Sequence, residues 1–299
     1  MLVVLEIIMP VFAVIALGFC VHKKIHMSID TLSFLAVYIL APALFFDSII
    51  DSELTGTEFL QVFVFMVLLT ACLMIMIKLW SKLTGVDNEI EKSVSLSTLF
   101  PNTGNYGLPV VMYAFGSVGF EIGVIYTALE SLKQNTVGVY LASNARVDAW
   151  SSLIRILKMP GFWAVLLALG ARGIDFMPPD LIMAPVKLLG EAMIPILLFT
   201  LGCQLAEIKL GEEKRLVLST SFVRLVLSPG LGFFILYYLF DITTVTSQVL
   251  LVQSATPAAV VTTMLAIRFD ARPDIVSSAT LISTLISVIT VSILLYLII

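Results

Sequence analysis

Ten apolar stretches, each about as long as a bilayer crossing, constrain this chain more than any other feature of its sequence. They fall at about 2–21, 31–50, 59–80, 91–116, 120–142, 153–173, 180–206, 214–239, 245–268 and 274–299, with short links such as "HKKIHMSID", "SKLTGVDNE" and "FDARPD" between them. A helical crossing needs about 20 apolar residues. Hydrocarbon satisfies no backbone groups, so stretches of this length must be helices. The sequence therefore predicts an all-α polytopic membrane protein with ten transmembrane helices. Only 13% of its 299 residues are charged, against about 25% in soluble domains, and no sizeable soluble domain fits. The first stretch has neither a basic region ahead of it nor a small-residue cleavage pattern behind it, so it reads as a retained crossing and not as a signal peptide.

The basic residues test the count. Thirteen of them, including Lys23, Lys24, Arg146, Arg155, Arg268 and Arg272, lie in or beside odd-numbered links, and Arg172 alone belongs to the even side. By the positive-inside rule the odd links are cytoplasmic, which makes this a multi-pass protein of the cell membrane with both termini extracytoplasmic. Adding or removing one crossing would scramble that division.

The chain also repeats itself. "YILAPALFFDS" around Pro42 matches "AMIPILLFTLG" around Pro195, sharing Pro-x-Leu-x-Phe at an offset of 153. Pro101 finds its counterpart in Pro257 at an offset of 156, and "FEIGVIYTAL" lines up with "PDIVSSATLI", which sets Glu121 opposite Asp274. These anchors divide the chain into a first five-helix repeat at 1–142, a cytoplasmic link at 143–152 and a second five-helix repeat at 153–299. Because five is odd, the second repeat is inverted relative to the first. Inverted repeats with interrupted helices at matching positions point to the binding site of a secondary transporter.

The fourth stretch contains "FPNTGNYGLP" at 100–109 and the ninth "SATPAAVVTTM" at 254–264. A proline inside a helix removes a donor and clashes with the preceding turn, at about 3 kcal/mol or more. At midplane depth such an interruption survives only where protein or a wet cavity covers it. Each break starts a half-helix with free N–H groups and a partial positive charge, and two such ends converging favour an anion, above all a carboxylate. Pro101, Asn102, Thr103, Gly104, Asn105 and Tyr106 are the candidate cradle on one side, with Gly104 and Gly107 expected to allow close approach and unusual torsions. Thr256, Pro257 and Ala258 face them from the other. Pro42 and Pro195 read equally as symmetric bends or as lining of the path.

Ionisable residues at depth usually face the protein interior. Glu130 and Lys133 share one face of the fifth crossing, followed by Gln134. They read as a proton-coupling pair or a source of positive potential, and equally as a plain ion pair. Arg224 either snorkels or caps a broken end. Cys20, Cys72 and Cys203 lie in apolar segments without metal-ligand spacing, and His22 and His26 share one link, so no metal site is expected. No phosphate-binding GxxxxGK[ST] motif occurs, which excludes ATP hydrolysis by this chain. The expected partners are a small carboxylate, the lipid bilayer and a coupling proton or sodium ion. No enzyme activity, cofactor or nucleic-acid partner is expected.

At "LFPNTGNYGLPVV", with "ATPAA" in the matching stretch, the chain resembles the auxin efflux carrier family, which includes plant PIN-type auxin exporters and bacterial permeases assigned to malate, malonate and related acids. The similarity covers essentially the whole chain. It implies broken, crossing helices 4 and 9, a scaffold of helices 1, 2, 6 and 7 that often forms a homodimer, and a transport unit of helices 3–5 and 8–10 that moves as an elevator. It also implies that Pro101 and Pro257 are the crossover prolines, Asn102 and Asn105 the binding asparagines, and Glu130 the polar lining residue of helix 5. The long hydrophilic loop of many plant members is absent, and "FLQVFVFMVLLTACLMIMIKLW" lacks their acidic and basic pair. The resemblance makes the chain a secondary carrier of small organic anions such as malate, malonate or auxin-like weak acids. The alternatives are a sodium or proton antiporter of the same architecture, which would want acids beside the crossing, and a membrane ligand sensor that transports nothing.

Overall fold

The structure is a computed structural model that describes residues 2–50, 52, 54–143, 154 and 157–299, without the side chains of 2–5. Most of the expected link between the repeats, with Arg146, lies outside the described residues, as does Arg155. The chain runs through α1 (Leu2–Ile25), α2 (Ile29–Ile50), α3 (Gly56–Thr84), α4 (Asn88–Leu99), α5 (Thr103–Ala142), α6 (Pro160–Gly173), α7 (Asp180–Glu207), α8 (Lys214–Leu239), α9 (Val245–Ser254), α10 (Val260–Phe269) and α11 (Pro273–Ile298). No strand forms among the described residues.

Seven of these helices are long and apolar enough to cross a membrane: α1, α2, α3, α5, α7, α8 and α11. The difference from ten apolar stretches has local causes. The stretch at 91–116 is divided between α4 and the start of α5, and that at 245–268 between α9 and α10. The fourth and fifth stretches share α5, which breaks at Gly116 with φ 66° and ψ −154°, a conformation open only to glycine at little cost. The sixth stretch contributes α6, of 14 residues.

Polar residues at the link ends set the helix boundaries. Thr55 and Glu58 form a reciprocal capping box at the start of α3, and Gly85 ends the helix in the left-handed region. Asp87 caps α4 by accepting from the Ile90 N–H at 2.7 Å, and Thr244 caps α9 by accepting from the Ser247 N–H at 3.2 Å.

Packing divides the buried side chains unequally. The larger cluster unites α1, α3, both interruptions, the second half of α7 and residues of α8 to α11; a smaller one joins α2, α6 and the middle of α7 to Leu108, Phe120 and Val124 of α5. The helix α7 belongs to both clusters and so links α1, in the larger one, to α2 and α6 in the smaller. Along α1 and α7 the backbones touch. A Cβ at Gly18 would stand 2.2 Å from the Phe199 carbonyl oxygen, and one at Gly202 2.0 Å from that of Ile15. Large apolar side chains such as Leu181 and Leu83 point outward, as lipid-facing helices require.

Candidate functional site

Both interruptions form where proline makes helix impossible to continue. Phe100, before Pro101, is extended at φ −117° and ψ 97°, since the ring disfavours the helical region for the preceding residue. On the other side Ala255 and Ala259 flank Pro257, and Ala259 is extended at φ −72° and ψ 136°. The two segments meet as an isolated antiparallel bridge between Pro101 and Ala258. The Asn102 N–H donates to the Pro257 carbonyl at 2.8 Å, and the Ala259 N–H to the Phe100 carbonyl at 3.0 Å. Backbone groups released by each break are thereby satisfied by the other, which removes a penalty that neither segment alone escapes in an apolar interior.

The helix ends that stop inside the protein are treated asymmetrically. At the C-terminal ends, cationic side chains cover the carbonyls. Lys133 Nζ donates to the Leu99 carbonyl at 2.9 Å, to Glu130 Oε1 at 2.6 Å and to Thr70 Oγ1 at 3.1 Å, which occupies all three ammonium protons. Arg224 donates to the carbonyls of Thr98, Thr256 and Ser254. Of the two alternatives for Arg224, capping is the one observed. At the N-terminal ends, Thr103 and Val260 each open a helix whose first N–H groups lack the usual partner a turn back, although the Thr262 N–H turns to the Ala259 carbonyl at 3.2 Å.

Those N-terminal ends border a cavity of about 820 Å³. One wall carries Pro101 to Asn105, Thr127, Ser131 and Gln134, together with Ala259 and Val260. The opposite wall, from α2, α6 and α7, is built of apolar side chains such as Phe45, Val165 and Leu197, with Ser52 and Arg172 at one end. Two side chains of the polar wall are aimed without a partner among the described residues. Asn102 Nδ2 and Thr127 Oγ1 make no hydrogen bond, and the residues are 5% and 7% exposed.

The structure gathers only some of the residues that sequence singled out. Pro101, Asn102, Thr103, Gly104, Asn105 and Gln134 line the cavity, whereas Tyr106, Glu130, Lys133, Thr256, Pro257 and Ala258 stand behind its wall. Tyr106 is buried edge-on to Phe12, with ring centroids 5.9 Å apart. Glu130 is wholly buried against Lys133. Pro42 lines a separate, open apolar hollow with Trp163 and Lys158, and Pro195 lies within α7. Neither Gly104 nor Gly107 has a positive φ, so the expected unusual torsions are absent. Gly107 is required for space instead: a Cβ there would lie 2.1 Å from Gln253 Oε1, while one at Gly104 would meet only Thr127 Cγ2 at 3.5 Å. Sequence reading passed over Thr127 and Ser131. The signal was present, because Thr127, Ser131 and Gln134 recur at helical spacing on one face.

An all-helical chain of apolar helices, folded around two paired interruptions and an internal cavity, has the build of a membrane transporter. The family model described as "Membrane transport protein", of the auxin efflux carrier type, matches it twice, over residues 3–149 and 147–295. The chain belongs to that family and consists of two repeats. It is 25% identical over 266 residues to an uncharacterized transporter of Methanothermobacter thermautotrophicus, covering 87% of this chain and 86% of the relative. It is 23% identical over 305 residues to an uncharacterized transporter of Methanocaldococcus jannaschii, covering 96% of each. The protein is therefore a multi-pass membrane protein of a transport family.

Proposed function

We propose that this protein is a secondary active transporter of small organic anions, with the substrate bound where the interrupted crossings 4 and 9 intersect. The observation that carries the reading is the polar wall of the cavity: two helix N-termini beside the unpartnered Asn102 Nδ2 and Thr127 Oγ1. A helix N-terminus carries roughly half a positive charge, and two together suit one carboxylate. Apart from Ser52, Thr55 and Arg172 at one end, where Arg172 donates to the Leu54 carbonyl at 3.0 Å, the rest of the lining is apolar, which favours an acid with an apolar body. Ten crossings in two inverted repeats, with both termini extracytoplasmic, complete the proposed topology.

Alternating access in this reading is of the elevator type. The wall of α2, α6 and α7 gives a largely apolar surface along which the polar wall slides, with few hydrogen bonds to break, such as Asn135 Nδ2 to Met159 Sδ at 3.4 Å and Arg172 Nη2 to the Leu54 carbonyl at 3.0 Å. The proposal includes a homodimer built through scaffold helices 1, 2, 6 and 7. It keeps Glu130 and Lys133 as the proton-coupling candidates, acting from behind the wall. Glu130→Gln then alters the pH dependence of uptake, and an unchanged profile makes Glu130 a structural partner only.

Counterflow in proteoliposomes loaded with indole-3-acetate, malonate or malate tests the function. Exchange of at least one labelled acid is expected, with indole-3-acetate ahead of the dicarboxylates. Exchange of none of them overturns the reading.

A further inference from the structure

Five carbonyl groups at the ends of the two interrupted helices, those of Thr98, Leu99, Phe100, Ser254 and Thr256, each accept from one of three donors. Phe100 is satisfied by the Ala259 N–H and Leu99 by Lys133. The other three fall to one side chain. Arg224 Nη1 donates to the Thr98 carbonyl at 2.8 Å, Nε to the Thr256 carbonyl at 2.9 Å, and Nη2 to the Ser254 carbonyl. Thr98 belongs to the end of α4, and Ser254 and Thr256 to the end of α9 and its continuation. Arg224 thus bonds both interrupted helices at once.

The side chain is 1% exposed and does not line the cavity, so it does not touch a substrate held there. A broad turn at Val223–Leu227 places it, and one step further Ser228 Oγ donates to the same Ser254 carbonyl at 3.0 Å. A guanidinium is a planar fork with five donors, suited to holding several acceptors at fixed angles. Each C-terminal helix end carries about half a negative charge, so the carbonyl ends also offset the cation, to which no carboxylate is hydrogen-bonded among the described residues.

We propose that Arg224 is a positioning residue. It fixes the distance and angle between α4 and α9, and through the Pro101–Ala258 bridge it sets where the two cavity-facing helix N-termini stand. The anion-binding consequence rests on the function proposed above; the positioning itself does not.

The test compares the full-length protein with R224K, which keeps the charge but gathers its donors on one nitrogen and loses the planar fork whose three nitrogens reach Thr98, Ser254 and Thr256 separately. Amide hydrogen exchange is the first readout. R224K is expected to speed exchange about fivefold in peptides covering 98–108 and 253–262, with peptides from α1 and α7 unchanged. Unchanged exchange in either interrupted segment, or a uniform rise along the chain, overturns the proposal. The second readout is the dissociation constant of the folded fraction for indole-3-acetate and for malate, expected to rise about tenfold. A structural role alone would lower the amount of folded protein and leave that constant where it was. If neither acid binds the unaltered protein, the function proposed above fails, while hydrogen exchange still decides the positioning. Should R224K not fold, R224A purified with and without millimolar guanidinium replaces it. Restoration of protection in both segments by guanidinium, and not by methylammonium, is expected; equal effects of the two cations, or none from either, overturn the proposal.

Discussion

The first interruption, from Phe100 to Gly107, and the second, from Ala255 to Ala259, complete each other's backbone hydrogen bonds, yet they bring different chemistry to the cavity. Asn102, Thr103 and Asn105 come from the first; the second contributes Ala259, Val260 and Val261, which carry no side-chain polarity beyond a methyl or isopropyl surface. Hydroxyls are present in the second segment but turned inward. Ser254 Oγ donates to the Leu251 carbonyl at 2.6 Å and Thr256 Oγ1 to the Gln253 carbonyl at 2.8 Å. The lesson is that repetition of the sequence preserved what the backbone needs, a proline break paired with its counterpart, while the polar side chains that line the cavity come from the first interruption and not the second.

Asn102→Ala gives the largest effect. The amide Nδ2 makes no hydrogen bond among the described residues, and leaving a buried donor unmade costs about 1–3 kcal/mol. Its removal therefore should not lower stability. Uptake is expected to be abolished while the melting temperature stays at or above its original value, measured by transport and by thermal unfolding on the same preparation. Transport at the original rate would remove Asn102 from the site and, with it, the asymmetry between the two interruptions.

Lys133→Met follows, and it contrasts how the two C-terminal ends are capped. Losing the ammonium leaves Glu130 buried without its partner at 2.6 Å, a change of about 3–5 kcal/mol, and frees the Leu99 carbonyl at the end of α4. The double variant Glu130→Gln/Lys133→Met is expected to recover most of the lost melting temperature, because the stranded charge goes with it. No recovery would mean that capping of α4 dominates the cost.

How much of this was legible beforehand depends on which force acts. The apolar stretches, the two repeats and the two proline breaks were all readable, because hydropathy and proline chemistry act locally in sequence. Pairing of Asn102 with Pro257 followed from the repeat only as convergence, since which carbonyl meets which N–H is set by the tertiary approach of α4 and α9. Glu130 was placed on the cavity by resemblance; in the structure its face of α5 turns toward Lys133, Thr70 and the end of α4, and the neighbouring face with Thr127 and Ser131 is the lining one. A hydrophobicity pattern separates polar from apolar faces and does not rank two polar faces of one buried helix. Gly107 shows the same limit. Its need for a missing Cβ arises from Gln253, 146 positions away in sequence, and no local signal names that neighbour.

Gly107→Ala tests that contact with a smaller effect. The added methyl would overlap Gln253 Oε1 at 2.1 Å, and Gln253 is fully buried, so the amide has no free direction in which to move. Overpacking of this kind costs about 1–3 kcal/mol. A fall in melting temperature is expected, reversed by Gln253→Ala in the same chain. Gly104→Ala, with only Thr127 Cγ2 at 3.5 Å, is expected to leave stability unchanged, so the pair separates a glycine needed for packing from one that is not.

Thr256→Ala should have the smallest effect, and it bears most directly on the contrast between the two halves. Thr256 sits at the break of the second segment as Asn102 does at the first, and symmetry alone would give them equal weight. The geometry does not: Thr256 Oγ1 is committed to the Gln253 carbonyl, the residue is fully buried, and it is absent from the cavity wall. Removing the hydroxyl forfeits one neutral hydrogen bond, about 0.5–1.5 kcal/mol, and the half-saturation concentration for the transported acid is expected to stay within about twofold, since no differential contact with the anion is lost. A rise comparable to that from a substrate-contacting side chain would mean that the second interruption turns its hydroxyl toward the substrate during transport, and the division into one half that recognises and one half that only completes the backbone would be wrong.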